Sequence, residues 1–540
     1  MLHFIPAWYQ ENTWSESEQI WYVRRMHTEF DDSVKQVQLF HRSGAYPYQI
    51  LLLSFAPNFR HFLHRQGVYH APYWSCFDAI QCVRRKRARV LSFHDLAWPD
   101  RIEFIYSSFA VIAMLRGEKY AQVEFGENGN PIRIDIYQNG IISRRNLYDD
   151  RGFVSSSIVY KEGQPFYQDY YMESGSWKMR SFEADGHVEI NPKYPAFLLQ
   201  YGDREEERQF AKRTYAEMGE VIREVFNAYV QLTAKEDIFC VAMHERHIEF
   251  LSQALEKRKR ILSFFGDRYS VRKHPESIDV VESANYIIVD SRENMERLHR
   301  ESAGLLQKMT DITPFDSRVD FGISQQLHVQ KIMIPMDGIR EEVFRELIRN
   351  LGEYLKHNEK ARVHLFTRKA EWDRKRQLLE QTRRALKEAG LEEGWAAEEV
   401  PKGTAENDLD QEEVVPIKFF AEQCVDELAV SKCMREQRVM VDLRDTSEVY
   451  LQIMAISIGI PQIVNRETEF VEHEKNGVVI RKTEDLNNIL SYYLDSLANW
   501  NEAVVCSYEL GKRYTTERLL EKWGEVIRFI GRDSYTTVGR

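Results

Sequence analysis

Between about residues 120 and 192 the chain changes its period. In AQVEFGENGNPIRIDIYQNGIIS, Ile132, Ile134 and Ile136 alternate with Arg133 and Asp135, so an extended strand would show one apolar and one charged face. Asn128-Gly129 and Asn139-Gly140 are hairpin pairs, because Asn and Gly tolerate positive φ. FVSSSIVY, PFYQDYYM, WKMRSFEA and HVEI continue the series, with turn residues at roughly ten-residue spacing. The pattern predicts an antiparallel meander. Its flanks do not share the period, so the meander is an insertion. Its core is expected to be local and the sheet separable.

The flanks alternate strand-like and helix-like segments. HFIPAW (3–8), KQVQLF (35–40), YQILLLSF (48–55) and ARVLSF (88–93) are short apolar runs of the kind buried in parallel sheets. After 205 the alternation returns. Residues 204–233 read as a long helical stretch, and DIFCVAMH (237–244), RILSFF (260–265) and YIIVDS (286–291) read as strands. A third block holds KIMIP, RVHLFT, VPIKFF, RVMVDL and PQIV, then helices at 483–497 and about 500–531. The acidic segment 393–413 reads as an exposed loop. The expected fold is α/β, with two Rossmann-like domains facing a cleft and an inserted antiparallel sheet domain. The expected boundaries are 1–115 with 200–325 for the N-terminal domain, 116–199 for the insert and 326–540 for the C-terminal domain.

Composition narrows the function classes. A chain of 540 residues exceeds one ordinary core. The formal net charge of −11 argues against nucleic-acid binding. Two basic runs stand out, RRKRAR (84–89) and EKRKR (256–260), each read as a helix end whose cations suit the dipole. A membrane-surface contact is a minority reading of the first. MLHFIPAWYQ lacks a signal-peptide pattern, and the longest uncharged run, 449–465, is interrupted by Gly459 and Pro461. The six cysteines form no CxxC pair, so no metal or redox site is expected. A cytoplasmic protein without cofactors follows.

SEVYLQIMAISIGIPQIV (447–464) resembles the donor segment of retaining GT-B glycosyltransferases, which carries two glutamates eight positions apart, then alanines, then G-x-P. Gly459-Ile460-Pro461 and Ala455 match, but the glutamate positions are Thr446 and Met454. Glu448 is two residues away, a helical rotation of about 200°. A thioether is a weak acceptor and cannot replace a carboxylate that holds a sugar. No glycine lies between Pro461 and Gly477, where such enzymes bring backbone amides to a diphosphate; Glu467 and Glu469 stand there instead. The N-terminal glycine-rich loop is also missing. Residues 6–29 hold no glycine and include Trp8, Tyr9, Trp14 and Trp21.

His244-Glu245-Arg246-His247 is not a zinc-protease motif, because position 248 is Ile. His244 and Arg246 lie where a strand meets a helix. They are candidate sugar ligands, with helix capping as the alternative. Arg368 and Lys369 follow RVHLFT and are candidate phosphate or sugar contacts, with a solvated loop as the alternative.

FIPAWY, FDDSVKQVQLF (30–40), APNFRHFLHRQGV (56–68) and YWSCFDAIQ (73–81) resemble the first of the accessory secretory proteins of the accessory Sec system of Gram-positive bacteria. The resemblance runs nearly the full length. It implies a non-catalytic relative of GT-B transferases that supports export of serine-rich repeat glycoprotein adhesins. The implied partners are two companion accessory secretory proteins, a dedicated motor ATPase and the glycosylated adhesin preprotein, with a peripheral position at the inner face of the membrane allowed. The alternative is an active GT-B glycosyltransferase that modifies such an adhesin.

Overall fold

The computed structural model describes residues 1–10, 13–15, 30–398 and 416–536. Two units form. One gathers the N-terminal strand with Asp31–Ile288 and Leu298–Met309, and the other gathers Val289–Arg297 with Thr310 onward.

The sheet of the first unit has seven strands, in the order Met309–Asp311, Tyr286–Val289, Lys259–Phe264, Ile238–Ala242, Leu2–Ile5, Tyr48–Leu52 and Tyr73–Ser75. Leu2–Ile5 pairs in parallel with both Ile238–Ala242 and Tyr48–Leu52. All four of its residues are buried, as a strand covered on both faces must be. The strand order reverses at this central pair. In such sheets that point opens a crevice at the carboxyl ends of the strands.

The second unit repeats the plan with six parallel strands, ordered Phe419–Gln423, Ala361–Thr367, Gln330–Pro335, Gln437–Asp442, Gln462–Val464 and Gly477–Val479. Its order reverses between Gln330–Pro335 and Gln437–Asp442. Phe344, Leu347, Ile348, Leu351 and Leu355 form the apolar stripe of the helix Glu341–His357 and belong to one core with Ile332, Ile334, Val363, Leu365 and Val441.

A ten-stranded antiparallel sheet runs from Ile102–Tyr106 at one edge to Thr214–Tyr215 at the other, nearly all of it consecutive hairpins. Asn139 and Gly140 both adopt positive φ (54° and 75°), the conformation a two-residue hairpin turn requires. Asp135 takes a bidentate pair from Arg145 on the next strand, at 2.7 and 2.8 Å. The core of this sheet is not wholly local. Tyr170 packs its ring against Phe55 and Phe77 at 5.2 and 5.4 Å. Arg151 is clamped between Asp78 and Asp149 at 2.7 and 2.6 Å, and Arg60 pairs with Asp150. The meander is therefore bolted to its parent unit by buried charges.

Three expected elements differ. KQVQLF lies in the helix Asp32–Ser43, capped by the Asp31 carboxylate, which accepts from the Ser33 amide, and closed by Gly44 at φ 60°. Its apolar residues Val34, Val37 and Phe40 fall at helical spacing. ARVLSF is not a strand. Leu91, Phe93, Leu96 and Trp98 instead cover one face of the meander, beside Val111, Ala113, Val123 and Ile134. Residues 204–233 are not one helix. The hairpin strand Arg204–Gln209 and the edge strand Thr214–Tyr215 precede the helix Met218–Leu232. The charged residues of REEERQ suit a solvent-facing strand as well as a helix.

RRKRAR is a loop beyond the short helix Cys76–Ile80, not a helix end. Arg84 pairs with Glu205 and Glu207, and Arg85 with Glu173, so nearby carboxylates answer two of its cations. EKRKR joins the helix Glu245–Ala254 to the strand Lys259–Phe264. Of the acidic segment expected as a loop, 399–413 falls outside the described residues, while Trp395 is buried. No helix among the described residues is long and apolar enough to cross a membrane.

Candidate functional site

In each unit the reversal of strand order makes the place where a ligand would sit. In the first unit, the chain leaves Leu2–Ile5 through Pro6–Tyr9 and leaves Ile238–Ala242 through Met243 into the helix Glu245–Ala254. Aromatic and imidazole rings meet there. The Tyr9 hydroxyl is 2.8 Å from His247 Nδ1, and His247 Nε2 is 2.7 Å from the Ala242 carbonyl. Nε2 therefore donates to the carbonyl, and Nδ1 accepts from the phenol. Trp14 meets Tyr9 edge-on at 5.4 Å and Phe250 at 6.0 Å.

His244 caps the helix, its side chain accepting from the Arg246 amide at 3.1 Å. The Arg246 guanidinium lies over the Trp14 ring at 5.4 Å. Burial pushes His244 down to about 4 and His247 down to about 3, with the Arg268 charge adding to both. These histidines are neutral at ordinary pH. Asp31 and Asp32 hold Arg268, and Trp8 Nε1 donates to Asp31 at 2.9 Å. Among the described residues, Trp8, Tyr9 and Trp14 thus pack into one cluster with His247, Phe250 and Asp31.

In the second unit, Asp337 follows the central strand Gln330–Pro335. Its carboxylate accepts from Thr367 Oγ1 and from the Arg368 amide, each at 2.7 Å. Arg444 holds Asp442 in a bidentate pair at 2.8 Å per bond and donates to the Asp337 carbonyl at 3.2 Å. Arg368 pairs with Glu448, and its guanidinium stacks 3.6 Å from the ring centroid of Phe30. Lys369 is exposed. A diphosphate is held by cations and amides that lack another acceptor. Here the arginines already carry carboxylates.

Thr446 is exposed in the bend before the helix Val449–Ile458, and Met454 lies within that helix. Glu448 stands at the N-cap, with extended backbone. The helical rotation expected to disqualify it does not apply. Its engagement with Arg368 is what occupies it. Gly459 ends the helix at φ 83°, where a Cβ would meet Val504 at 2.9 Å. Gly459 is thus required by helix termination and packing. Glu469 accepts from the Arg292 amide at 2.8 Å, at the start of the helix Arg292–Glu301. Burial raises its pKa. Glu467 is exposed.

The structure thus places His244 and Arg246 on one helix start and Arg368 and Lys369 on one loop, each pair within its own unit. Sequence reading missed the pairing of Tyr9 with His247, of Arg444 with Asp442 and of Arg368 with Glu448. It also missed Trp372, which stands 91% exposed on the loop after Ala361–Thr367. The aromatic density of 6–29 was the one available signal for the first. Among the described residues no group of His, Cys, Asp and Glu side chains could hold a metal ion.

Comparison with known proteins decides the family. The model of the accessory Sec system proteins of the first kind, accessory secretory protein 1, matches residues 1–529. The chain belongs to the accessory secretory protein 1 family. A family member from Streptococcus gordonii is 30% identical over 534 residues, covering 98% of this chain and 99% of the relative. A crystal structure of accessory secretory proteins 1, 2 and 3 of Streptococcus pneumoniae contains a chain with TM-score 0.78 and 29% identity, covering 98% of this chain and 100% of that one. A pneumococcal O-GlcNAc transferase solved with UDP and GlcNAc shares the fold at TM-score 0.67 and 12% identity, over 98% of each chain. The accessory secretory protein 1 fold seen here is accordingly GT-B-like, an α/β architecture with an added antiparallel sheet.

Proposed function

We propose that this chain is a non-catalytic, transferase-shaped component of the accessory Sec system, which supports export of serine-rich repeat glycoproteins by binding the preprotein and companion accessory proteins. One observation carries the reading. The groups at both strand-order reversals are engaged with one another, through Tyr9 with His247 in one unit and through Arg368 with Glu448 and Arg444 with Asp442 in the other. Groups so engaged, with Thr446 and Met454 in place of donor carboxylates, support a reading without sugar transfer. The pneumococcal relative crystallised with accessory secretory proteins 2 and 3 supports assembly with two companions here. The motor ATPase and the glycosylated preprotein complete the proposed set of partners.

His244, Arg246, Arg368 and Lys369 remain the proposed sugar contacts, weak singly and summed along a repetitive glycoprotein. The test offers UDP- and GDP-sugars with a serine-rich acceptor. No transfer above a no-enzyme control is expected. Transfer abolished by Arg368→Ala or Arg444→Ala would overturn the reading and favour the working transferase.

A further inference from the structure

We propose that Cys82 and Lys178 form a peroxide-sensitive modification site, where oxidation joins the thiol sulfur to the amine nitrogen in a sulfenamide that thiols reverse. The site uses none of the residues at the strand-order reversals and stands independently of the function proposed above.

Lys178 lies on the strand Trp177–Phe182 of the meander and is 1% exposed. A lysine so deeply buried is ordinarily paired with a carboxylate. Among the described residues no carboxylate pairs with this one. Its amine donates to the Tyr194 carbonyl at 2.8 Å and to the Ala196 carbonyl. Glu207 acts on it less than Cys82 does, and is engaged by Arg84 at 3.3 Å. The Cys82 thiol donates to the same Ala196 carbonyl at 3.4 Å. Amine and thiol therefore converge on one oxygen atom, and the two side chains act directly on each other.

Cys82 follows the C-cap of the helix Cys76–Ile80 and adopts φ 54°, at a position where glycine is usual. A left-handed residue that is not glycine costs backbone strain, and such strain gathers at functional positions. The cysteine is partly exposed and opens onto the basic run RRKRAR. Reactive cysteines sit in partly exposed surroundings with cations nearby, whereas fully buried ones are inert. Burial raises the Cys82 thiol, and Lys178 and Arg84 pull it back down. Cys76, by contrast, is fully buried, and burial alone pushes its thiol far up.

Hydrogen peroxide is the oxidant. Its O–O bond breaks, an S–O bond forms on Cys82, and the thiol proton leaves with the other oxygen as water, giving a sulfenic acid. Burial lowers the pKa of Lys178, which favours the neutral amine that the next step needs. The nitrogen lone pair attacks the sulfur, an S–N bond forms and the S–O bond breaks. Hydroxide departs and takes an amine proton as a second water. The chain loses two hydrogens and passes two electrons to the peroxide. A thiol reverses the step by attacking the sulfur and returning the amine, and a second thiol then releases Cys82 from the mixed disulfide. The bridge ties the chain after the helix Cys76–Ile80 to the meander. Cysteine spacing cannot reveal such a site, because the partner is a lysine.

The test treats the purified full chain with hydrogen peroxide, blocks the remaining thiols with an alkylating agent and maps the digest by mass spectrometry. Wild type, Cys82→Ser and Lys178→Arg are compared; the arginine keeps a cation for the carbonyls but supplies no nucleophilic amine. The expected wild-type product is a linked pair of peptides holding Cys82 and Lys178, two hydrogens lighter than their sum and separated again by dithiothreitol. Cys82→Ser should give no linked pair. In Lys178→Arg, Cys82 should stop at the sulfenic acid, trapped by dimedone. Oxidation should also move the urea midpoint of wild type upward and leave that of Cys82→Ser in place, because a cross-link restricts the unfolded chain. Wild-type Cys82 recovered as an alkylated thiol, or as a sulfinic or sulfonic acid beside an unmodified Lys178, would overturn the proposal. A linked pair that carries an additional oxygen would overturn the sulfenamide step.

Discussion

The hydroxyl of Tyr9 lies 2.8 Å from Nδ1 of His247, across 238 residues of chain. This contact ties the segment leaving the first strand to the helix that follows the fourth, at the point where a related transferase fold would admit a ligand. Two bulky side chains with matched donor and acceptor replace a permissive glycine loop, and the exchange trades access for rigidity.

Tyr9→Phe removes the donor and leaves a buried imidazole nitrogen unsatisfied. A loss of about 1–3 kcal/mol is expected in urea unfolding. A change below the error of the extrapolation would show that the bond does not hold the loop.

Glu448→Gln releases Arg368 from its carboxylate while keeping the stack on Phe30. The pair is partly exposed, with side-chain accessibilities of 14% and 29%, so the stability cost is expected to be about 1 kcal/mol. Titration calorimetry with UDP should show no binding by wild type and weak binding by the variant. Sugar transfer should stay absent, because Thr446 and Met454 still supply no carboxylate. Strong UDP binding by wild type would contradict the self-paired site.

Acid should destabilise the first unit through its neutral histidines. His244 and His247 are held at about 4 and about 3, below the ordinary value of 6.5. Between those limits the unfolded chain binds protons that the folded chain refuses, so stability is complete above about pH 6.5 and falls as pH drops. Asp31, raised to about 6 by burial and the Asp32 charge, acts in the opposite sense. The informative quantity is the difference between wild type and His247→Gln. The variant should lose less stability between pH 6.5 and pH 4.5, and equal slopes would refute the assignment.

Arg151 holds the meander to its parent unit through Asp78 and Asp149, with 2% of its side chain exposed. Arg151→Leu leaves Asp78 without its cation and Asp149 with Arg60 at 3.4 Å, and should cost about 3 kcal/mol. Excision of 120–192 should likewise unfold the N-terminal unit, unless Arg60 and Asp78 are replaced in the same chain. A deletion protein with wild-type stability would show that the meander is independent after all.

The order of α/β blocks, the antiparallel meander and the residue identities at Thr446 and Met454 were legible from local pattern. Period-two alternation, buried apolar runs and single residue identities are written within a few positions of one another. Short amphipathic segments were not. KQVQLF can be read as a strand or as part of a helix, and the Asp31 cap together with the packing of Val34, Val37 and Phe40 settled it. ARVLSF has the apolar content of a strand, but it covers a sheet that only the finished meander presents.

The sequence by itself determined that carboxylates are lacking at Thr446 and Met454 and that glycines are lacking near Tyr9, because those are facts of composition at a position. Only the tertiary structure decided what the remaining polar groups do. Glu448 could be a free acceptor or the partner of Arg368, and Tyr9 could line a pocket or close it. Those alternatives differ by contacts between residues tens to hundreds of positions apart. Such contacts depend on which strands lie side by side, and no local window of sequence contains that information.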